Sequence, residues 1–424
     1  MHEKGQIMSS TKQHQIIIIG GSFTGMIAAL ALKQQGFDVA LIERRPEGTQ
    51  EDITLDGRGH AIASAGQRFF VQLGLWQQIL PYAAPIEHIR ITDSKGNSAK
   101  PSISPLQMQF HGLNDQSNPQ SDQQQPMGWI TENSAVRGIL YRATKAALGE
   151  NFIEGLTVET IDRQTTHITL KCRSGESFHG SLLLGCDGRG SIARKLAKIK
   201  LISWSYNQEA LVCCLNHELP HKNWAYEHFT PQGPFAVLPL PDSPQGQPRS
   251  TLVWANRPER TQQLARMNDE DLAAQMTEVF GPWLGAIRPQ GQRWVYPLSA
   301  QHARDYIAVR LALVGDAAHG IHPIAGQGFN LALRDIQALL ALLIQARRYG
   351  QDLGDYKLLS DYQRQRRADN TFMLFATDAL DKTFSNNLPV LRHARGLGLA
   401  ALERMPRLKA RFIRYAMGEK IIGR

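Results

Sequence analysis

Apolar residues in this chain come in short blocks whose period changes along its length. Ile16-Ile17-Ile18-Ile19 is an unbroken β-branched run of strand length, the pattern of a strand covered on both faces of a parallel sheet. It enters Gly20-Gly21-Ser22-Phe23-Thr24-Gly25, after which residues 26–35 carry a helical pattern that stops at Gly36. Residues 38–42 predict a second strand, ending at Glu43. Strand, glycine-rich turn, helix and strand in this order open a doubly wound α/β domain. Residues 134–148 predict a helix that returns to that domain, followed by strands over 157–161, 167–172 and 181–185. Residues 203–218, 226–240 and 250–256 predict longer strands, which with 86–92 would build a separate sheet. Helical patterns dominate from Phe329 onward. The nucleotide domain is therefore expected in pieces, with a sheet domain inserted between them.

A second junction lies late in the chain. The apolar run 307–314 leads into Gly315-Asp316-Ala317-Ala318-His319-Gly320-Ile321-His322-Pro323-Ile324-Ala325-Gly326-Gln327-Gly328-Phe329-Asn330. It reads as a strand delivering an acid, a turn rich in Gly and Pro, and a helix starting near Gln327. Such a junction presents backbone N–H groups and a positive dipole end to an electron-rich ligand atom.

Length and composition narrow the picture. With 424 residues, 42% of them hydrophobic, the chain can bury two domains plus a tail. Residues 1–15 are polar, lack the apolar stretch of a secretory signal and read as a loose leader. The most apolar long segment, residues 331–346, is interrupted by Arg334 and Asp335, so no membrane span is expected. Cys172, Cys186, Cys213 and Cys214 show no Cys-x-x-Cys spacing, which fits a reducing cytoplasm. The 14 histidines include no His-Glu-x-x-His, and no metal is predicted. Residues 112–127 are rich in Gln, Asn and Ser, a polar loop with nothing to bury and expected to be mobile.

The charge is concentrated at one end. Residues 392–424 hold nine Lys or Arg against Glu403 and Glu419, so this tail carries +7 of the net +9. Leucines and Phe412 are interleaved with those cations, and Pro406 separates two short helical pieces. Such a tail suits an anionic membrane surface, placing the protein peripherally at the inner face, or an acidic partner in a biosynthetic complex; equally it suits a solvated helical pair packed on the body. No basic and aromatic module for nucleic acid is present.

Gly20, Ser22 and Gly25 occupy the three glycine positions of a dinucleotide fingerprint, with serine where a glycine normally admits a pyrophosphate. Glu43 follows Gly25 by 18 residues, at the end of strand two, where a carboxylate reaches ribose hydroxyls. A third element, Gly185-Cys186-Asp187-Gly188-Arg189-Gly190-Ser191, follows the apolar strand residues 182–184. These three turns, in this order, resemble class A flavin monooxygenases. Asp56-Gly57-Arg58, Glu132-Asn133 with Arg137, Trp204-Ser205-Tyr206-Asn207-Gln208, Ala225-Tyr226-Glu227-His228-Phe229-Thr230-Pro231, and Asp361-Tyr362 with Arg366, Asp369 and Asn370 narrow the resemblance to the ubiquinone-biosynthesis hydroxylases, over roughly residues 16–418.

The resemblance implies a discontinuous Rossmann-like FAD-binding domain (14–85, 128–200 and 296–345), an inserted β-sheet substrate domain (86–127 and 201–295) and a C-terminal helical region (346–424). It assigns Gly20, Ser22 and Gly25 to the FAD pyrophosphate, and Glu43, with Arg44 beside it, to the adenosine ribose. Arg58 and Arg137 would neutralise phosphate or meet ribityl oxygens; Asp187 would lie near the pyrophosphate and Asp316 on the ribityl chain. Pro323 would pack by the isoalloxazine, and the backbone of Gly326, Gln327, Gly328 and Asn330 would face its pyrimidine end. There the helix N-terminus would stabilise the negative charge of reduced flavin. NAD(P)H is expected as a transient electron donor, O2 as co-substrate, and a polyprenylated phenol on the way to ubiquinone as substrate. Two other readings stay open: hydroxylation of a small soluble aromatic acid, and a non-catalytic FAD- or lipid-binding subunit. No side chain is assigned as catalytic acid or base, and His319 and His322 read as satisfied loop histidines.

Overall fold

The computed structural model describes residues 11–51, 58–93, 108–111, 113–114, 124–384, 405, 414–415 and 417–418. Asp56-Gly57, most of the polar loop 112–127 and nearly all of the basic tail 392–424 lie outside the described residues.

Strand β1 (Thr11–Ile19) leads through the glycine turn into helix α1 (Phe23–Gln34) and strand β2 (Val39–Ile42). The helix starts three residues ahead of the predicted position, because Gly20, Gly21 and Ser22 alone complete the turn. The chain continues through β3 (Gly59–Ala63), β4 (His88–Asp93), β5 (Gly128–Glu132), helix α2 (Asn133–Leu148), β6 (Phe152–Ile153), β7 (Ser177–Gly185) and the short α3 (Ile192–Leu196). It then forms β8 (Leu201–His217), β9 (Trp224–Thr230), β10 (Gly233–Leu240), β11 (Arg249–Asn256), helices α4 (Pro258–Arg266) and α5 (Asp269–Phe280), and β12 (Ile287–Ala303). The last labelled elements are β13 (Leu311–Leu313), α6 (Gln327–Arg348) and α7 (Tyr356–Phe384).

The first sheet has a parallel core in the order β6, β2, β1, β7, β13, the arrangement that opens a doubly wound fold. Ile16, Ile17 and Ile18 are fully buried at its centre, as the unbroken apolar run requires. An eight-stranded second sheet contains β12, β8, β11, β10, β9 and β4 in that order. Helices α4 and α5 cover one face of it, with Leu264, Leu272 and Met276 packed on Leu211 and Leu252. Strand β12 runs through residues 295 and 296, so the expected domain boundary falls inside a strand.

Two segments predicted as single strands are broken. Residues 226–240 divide at Pro231-Gln232, where Gly233 (φ +145°) and the Thr230 hydroxyl, donating to the Gly233 carbonyl at 2.7 Å, turn the chain into a hairpin. The run 307–314 turns back at Arg310 (φ +55°), whose guanidinium is held by Asp352, so only Leu311–Leu313 joins the parallel sheet. Helix α6 is long and apolar enough to cross a membrane, yet half of it is buried within the protein, with Leu331, Leu333, Leu339 and Leu343 in the core.

Candidate functional site

Four parallel strands end level with one another. Ile19 is the register neighbour of Ile42 on one side and of Gly185 on the other, and Gly185 is the neighbour of Leu313. The turns beginning at Gly20, Glu43, Cys186 and Val314 therefore emerge at one edge of the sheet. Strand order reverses between β1 and β7, and ligands of open α/β sheets bind at such a crevice.

At this edge the backbone is packed to the limit that glycine allows. Gly20 has φ +106°, and a Cβ there would sit 2.6 Å from the Cys186 carbonyl oxygen. On Gly25 a Cβ would lie 1.7 Å from the Gly20 carbonyl oxygen. Gly21, which pattern reading passed over, is as constrained: its Cβ would meet that of Glu43 at 2.8 Å, and its N–H donates to Glu43 Oε2 at 2.5 Å. The doublet Gly20-Gly21 was the available signal. Ser22 is exposed at the N-cap of α1 and makes no side-chain capping bond. Glu43 is buried and also accepts from the Arg45 N–H at 2.9 Å, so its two oxygens tie the turns of β1 and β2 together; each oxygen keeps lone-pair capacity for a further donor. Arg44 is exposed beside it.

Asp187 plays two parts. Its Oδ2 accepts from the N–H groups of Ile192 (2.6 Å) and Ala193 (3.0 Å), capping α3. Its Oδ1 is buried and has no hydrogen-bond partner among the described residues. An ionised carboxylate only accepts, so this atom suits a ligand hydroxyl better than a phosphate oxygen. Asp316, half-exposed, faces Arg189 at 3.5 Å. Arg189 in turn donates to the Ser299 carbonyl at 2.8 Å and the Ile321 carbonyl at 3.3 Å, joining the Asp-Gly turn to β12 and to the late motif.

The late motif is pinned from beneath. Asp335 on α6 is wholly buried and accepts from Gly315 N–H (3.0 Å), His319 Nε2 (2.6 Å), Arg366 Nε (2.7 Å) and Asn370 Nδ2 (3.1 Å). Burial alone would raise this carboxyl; the charges and hydrogen bonds of His319 and Arg366 outweigh it and hold the group well below the usual carboxylate range. In the sequence Asp335 reads only as a charge interrupting an apolar run. His322 is fully buried against the Tyr206 ring, and burial pushes it down to about 4.

Helix α6 begins at Gln327 after Gly326 in the left-handed region (φ +59°). Pro323 is exposed, Gly328 partly so, and Gln327 is buried. The Asn330 side chain is engaged by the protein itself, accepting from Ala63 N–H (2.8 Å) and donating to the Ala61 carbonyl (2.9 Å), so it docks β3 on the helix start. Phe23 meets Phe329 edge-on at 5.8 Å, which holds the N-termini of α1 and α6 together. Arg137 is no surface cation: it is buried on α2 and donates to the Gln50 carbonyl at 2.8 Å. Asn133 N–H donates to the Arg58 carbonyl, which sets Arg58 one helical turn ahead of Arg137; its exposed guanidinium lies over the Tyr296 ring at 4.8 Å.

This edge fits a flavin dinucleotide. The glycine turns admit close backbone approach, a buried carboxylate stands just past the end of β2, and Asp187 Oδ1, without a partner among the described residues, stands in the turn after β7. Among the described residues no cluster of His, Cys, Asp or Glu could hold a metal ion.

Comparison with known proteins agrees with this reading. Residues 13–374 match the FAD binding domain family. The chain is 37% identical to ubiquinone hydroxylase UbiL of Rhodospirillum rubrum over 98% of its length and 92% of that protein. It is 34% identical to 3-demethoxyubiquinol 3-hydroxylase of Escherichia coli over 95% of its length and 98% of that protein. In fold it is similar to Pseudomonas aeruginosa PqsL (TM-score 0.73, 19% identity, 92% of this chain and 100% of that one). It is likewise similar to p-nitrophenol 4-monooxygenase PnpA of Pseudomonas putida (TM-score 0.73, 15% identity, 97% and 100%).

Proposed function

The chain belongs to the ubiquinone-biosynthesis hydroxylase family of FAD-dependent monooxygenases, and from that premise we propose that it hydroxylates the aromatic ring of a polyprenylated phenol with NAD(P)H and O2. Bound FAD, once reduced by NAD(P)H, supplies the activation of O2. The level ending of β2, β1, β7 and β13, which sets the three motif turns side by side, is the observation that carries this reading.

Each part of the chain has a task at that edge. Gly20, Gly21 and Gly25 let the α1 N-terminus approach the pyrophosphate, with the Ser22 hydroxyl as an added donor. Glu43 takes ribose hydroxyls, and Arg44, Arg58 and Arg137 supply positive charge along the dinucleotide. Asp187 Oδ1 and Asp316 accept from ribityl hydroxyls. The α6 N-terminus from Gly326 to Asn330 directs its dipole at the pyrimidine end of the ring, while Pro323 flanks it. Asp335, beneath the turn, holds the start of the motif in place through the Gly315 N–H and His319.

The decisive experiment loads purified protein with FAD and follows NADH or NADPH oxidation with and without a short-chain prenylated phenol. Oxidation stimulated by the phenol, with one oxygen atom added to it by mass spectrometry, is the expected result; an unchanged phenol excludes the reading.

A polyprenyl tail dissolves in a bilayer, so the basic segment 392–424 is assigned to an anionic membrane surface. Deleting it should at least halve cosedimentation with vesicles containing anionic lipid, and the loss should grow as salt is lowered. Equal binding with and without the segment rejects this assignment.

A further inference from the structure

Side chains alternate along β9. Tyr226 and His228 face α5, where the Tyr226 ring meets Phe280 at 5.2 Å. Ala225, Glu227 and Phe229 share the opposite face. On that face Phe229 packs with Ile324 and Ile91 in one apolar cluster, which sets the sheet against the turn that follows Pro323. The register neighbours of Glu227 are Ala236 and Ile91, and the face continues through Val253, Val212 and Trp294. Among these register neighbours Glu227 is the one ionisable residue. It retains partial exposure and has neither a hydrogen bond nor an ion pair among the described residues. Phe229, two residues on, lies about 7 Å along the strand.

We propose that Glu227 receives the phenolic O–H of the substrate ring and holds that ring between this sheet face and the Pro323 turn; the assignment rests on the protein being a phenol hydroxylase. An ionised carboxylate accepts and never donates, so it selects a ring that carries a hydroxyl donor. As the O–H proton shifts onto Glu227, electron density moves into the ring, as attack by electrophilic oxygen requires. When the hydroxylated ring regains aromaticity, its displaced ring proton leaves to water and Glu227 returns the first proton to the phenolic oxygen. Burial without any compensating cation pushes this carboxyl up to about 7, where it exchanges a proton readily in both directions.

Two further charged residues belong to that face, Asp93 in register with Phe229 and Arg58 over the Tyr296 ring; the other titratable groups described around Glu227 are turned away or engaged. Arg90 on β4 stacks on Trp283 at 4.1 Å, His88 lies against Trp224, and β10 contains no titratable residue. Glu132 on β5 pairs with Arg249, and His322 on the facing turn packs on Tyr206.

The test uses the FAD-loaded full chain without NAD(P)H and two probes, a phenol carrying one prenyl group and its O-methyl ether, with binding read from the flavin spectrum. Wild type should bind the phenol more than about tenfold more tightly than the ether, which has no proton to donate. Its affinity for the phenol should weaken as the pH falls through about 7 and the carboxylate is lost. Glu227→Leu should bind the two probes alike while keeping its FAD. Glu227→Gln, whose amide oxygen still accepts, should keep part of the preference and lose the acid-side weakening. Equal binding of both probes by wild type, or an undiminished preference in Glu227→Leu, overturns the proposal. If FAD-loaded wild type binds neither probe, the phenol-hydroxylase reading falls together with it.

Discussion

Gly25→Ala should abolish FAD retention and destabilise the fold by about 3 kcal/mol or more, the upper range for forced overpacking. The added methyl would stand 1.7 Å from the Gly20 carbonyl oxygen, far inside any tolerable contact. Relief by moving that oxygen is blocked, because the Gly20 N–H donates to the Ile42 carbonyl at 2.8 Å and Gly20 itself abuts Cys186 and Asp187. The remaining escape is to lift α1 off the sheet, which would expose Met26 and Ile27, both fully buried. Flavin absorbance after gel filtration and a denaturant titration measure the two effects. Gly190→Ala is the control: nothing lies within 4 Å of its added carbon, so stability should stay within about 0.5 kcal/mol. A Gly25→Ala protein that retains FAD and wild-type stability would remove the glycine turn from the proposed site.

Asp335→Ala should cost about 3 kcal/mol, because it takes from the buried Arg366 the carboxylate at its Nε, leaving it Asp369 at 2.7 Å, and strips Gly315, His319 and Asn370 of their acceptor. The late turn should loosen first, so FAD should be lost at denaturant concentrations below the main transition. The pH dependence has a definite sign. The folded Asp335 carboxyl lies below its unfolded value, so its contribution is complete above about pH 4 and disappears as the pH falls toward the folded value. Asp335→Asn should therefore show a shallower loss of stability with falling pH in that acidic window, as well as lower stability at neutral pH. Parallel stability curves for wild type and Asp335→Asn from pH 5 downward would show that the ion pair does not carry this term.

Both predictions turn on atoms that pattern reading met unequally. Gly25 was legible because the requirement is local: a glycine six residues after the strand's last isoleucine, at the start of a helix, answers to the geometry of one turn. Asp335 was not, because its four donors come from residues 315, 319, 366 and 370, and only the packing of α6 and α7 beneath the late turn brings them together. Asn330 shows the same limit from the other side. It falls within the motif, yet its side chain binds Ala63, 267 positions away in sequence, and so is not free to meet a ligand.

By itself the sequence determined the alternation of strand, glycine turn and helix, the order of the three turn motifs, and with them the family and its cofactor, since these depend on backbone requirements within a few residues. Tertiary structure decided that the three turns end level on adjacent parallel strands, that Gly21 and Glu43 lock two of them, and that 226–240 folds back on itself as a hairpin. It also decided that Glu227 stands on an apolar sheet face next to the Pro323 turn with no partner among the described residues. The physical reason is that strand register and the partners of a polar group depend on what other chain segments, from a few to more than two hundred residues away, place around it, and the apolar pattern of one segment does not carry that information.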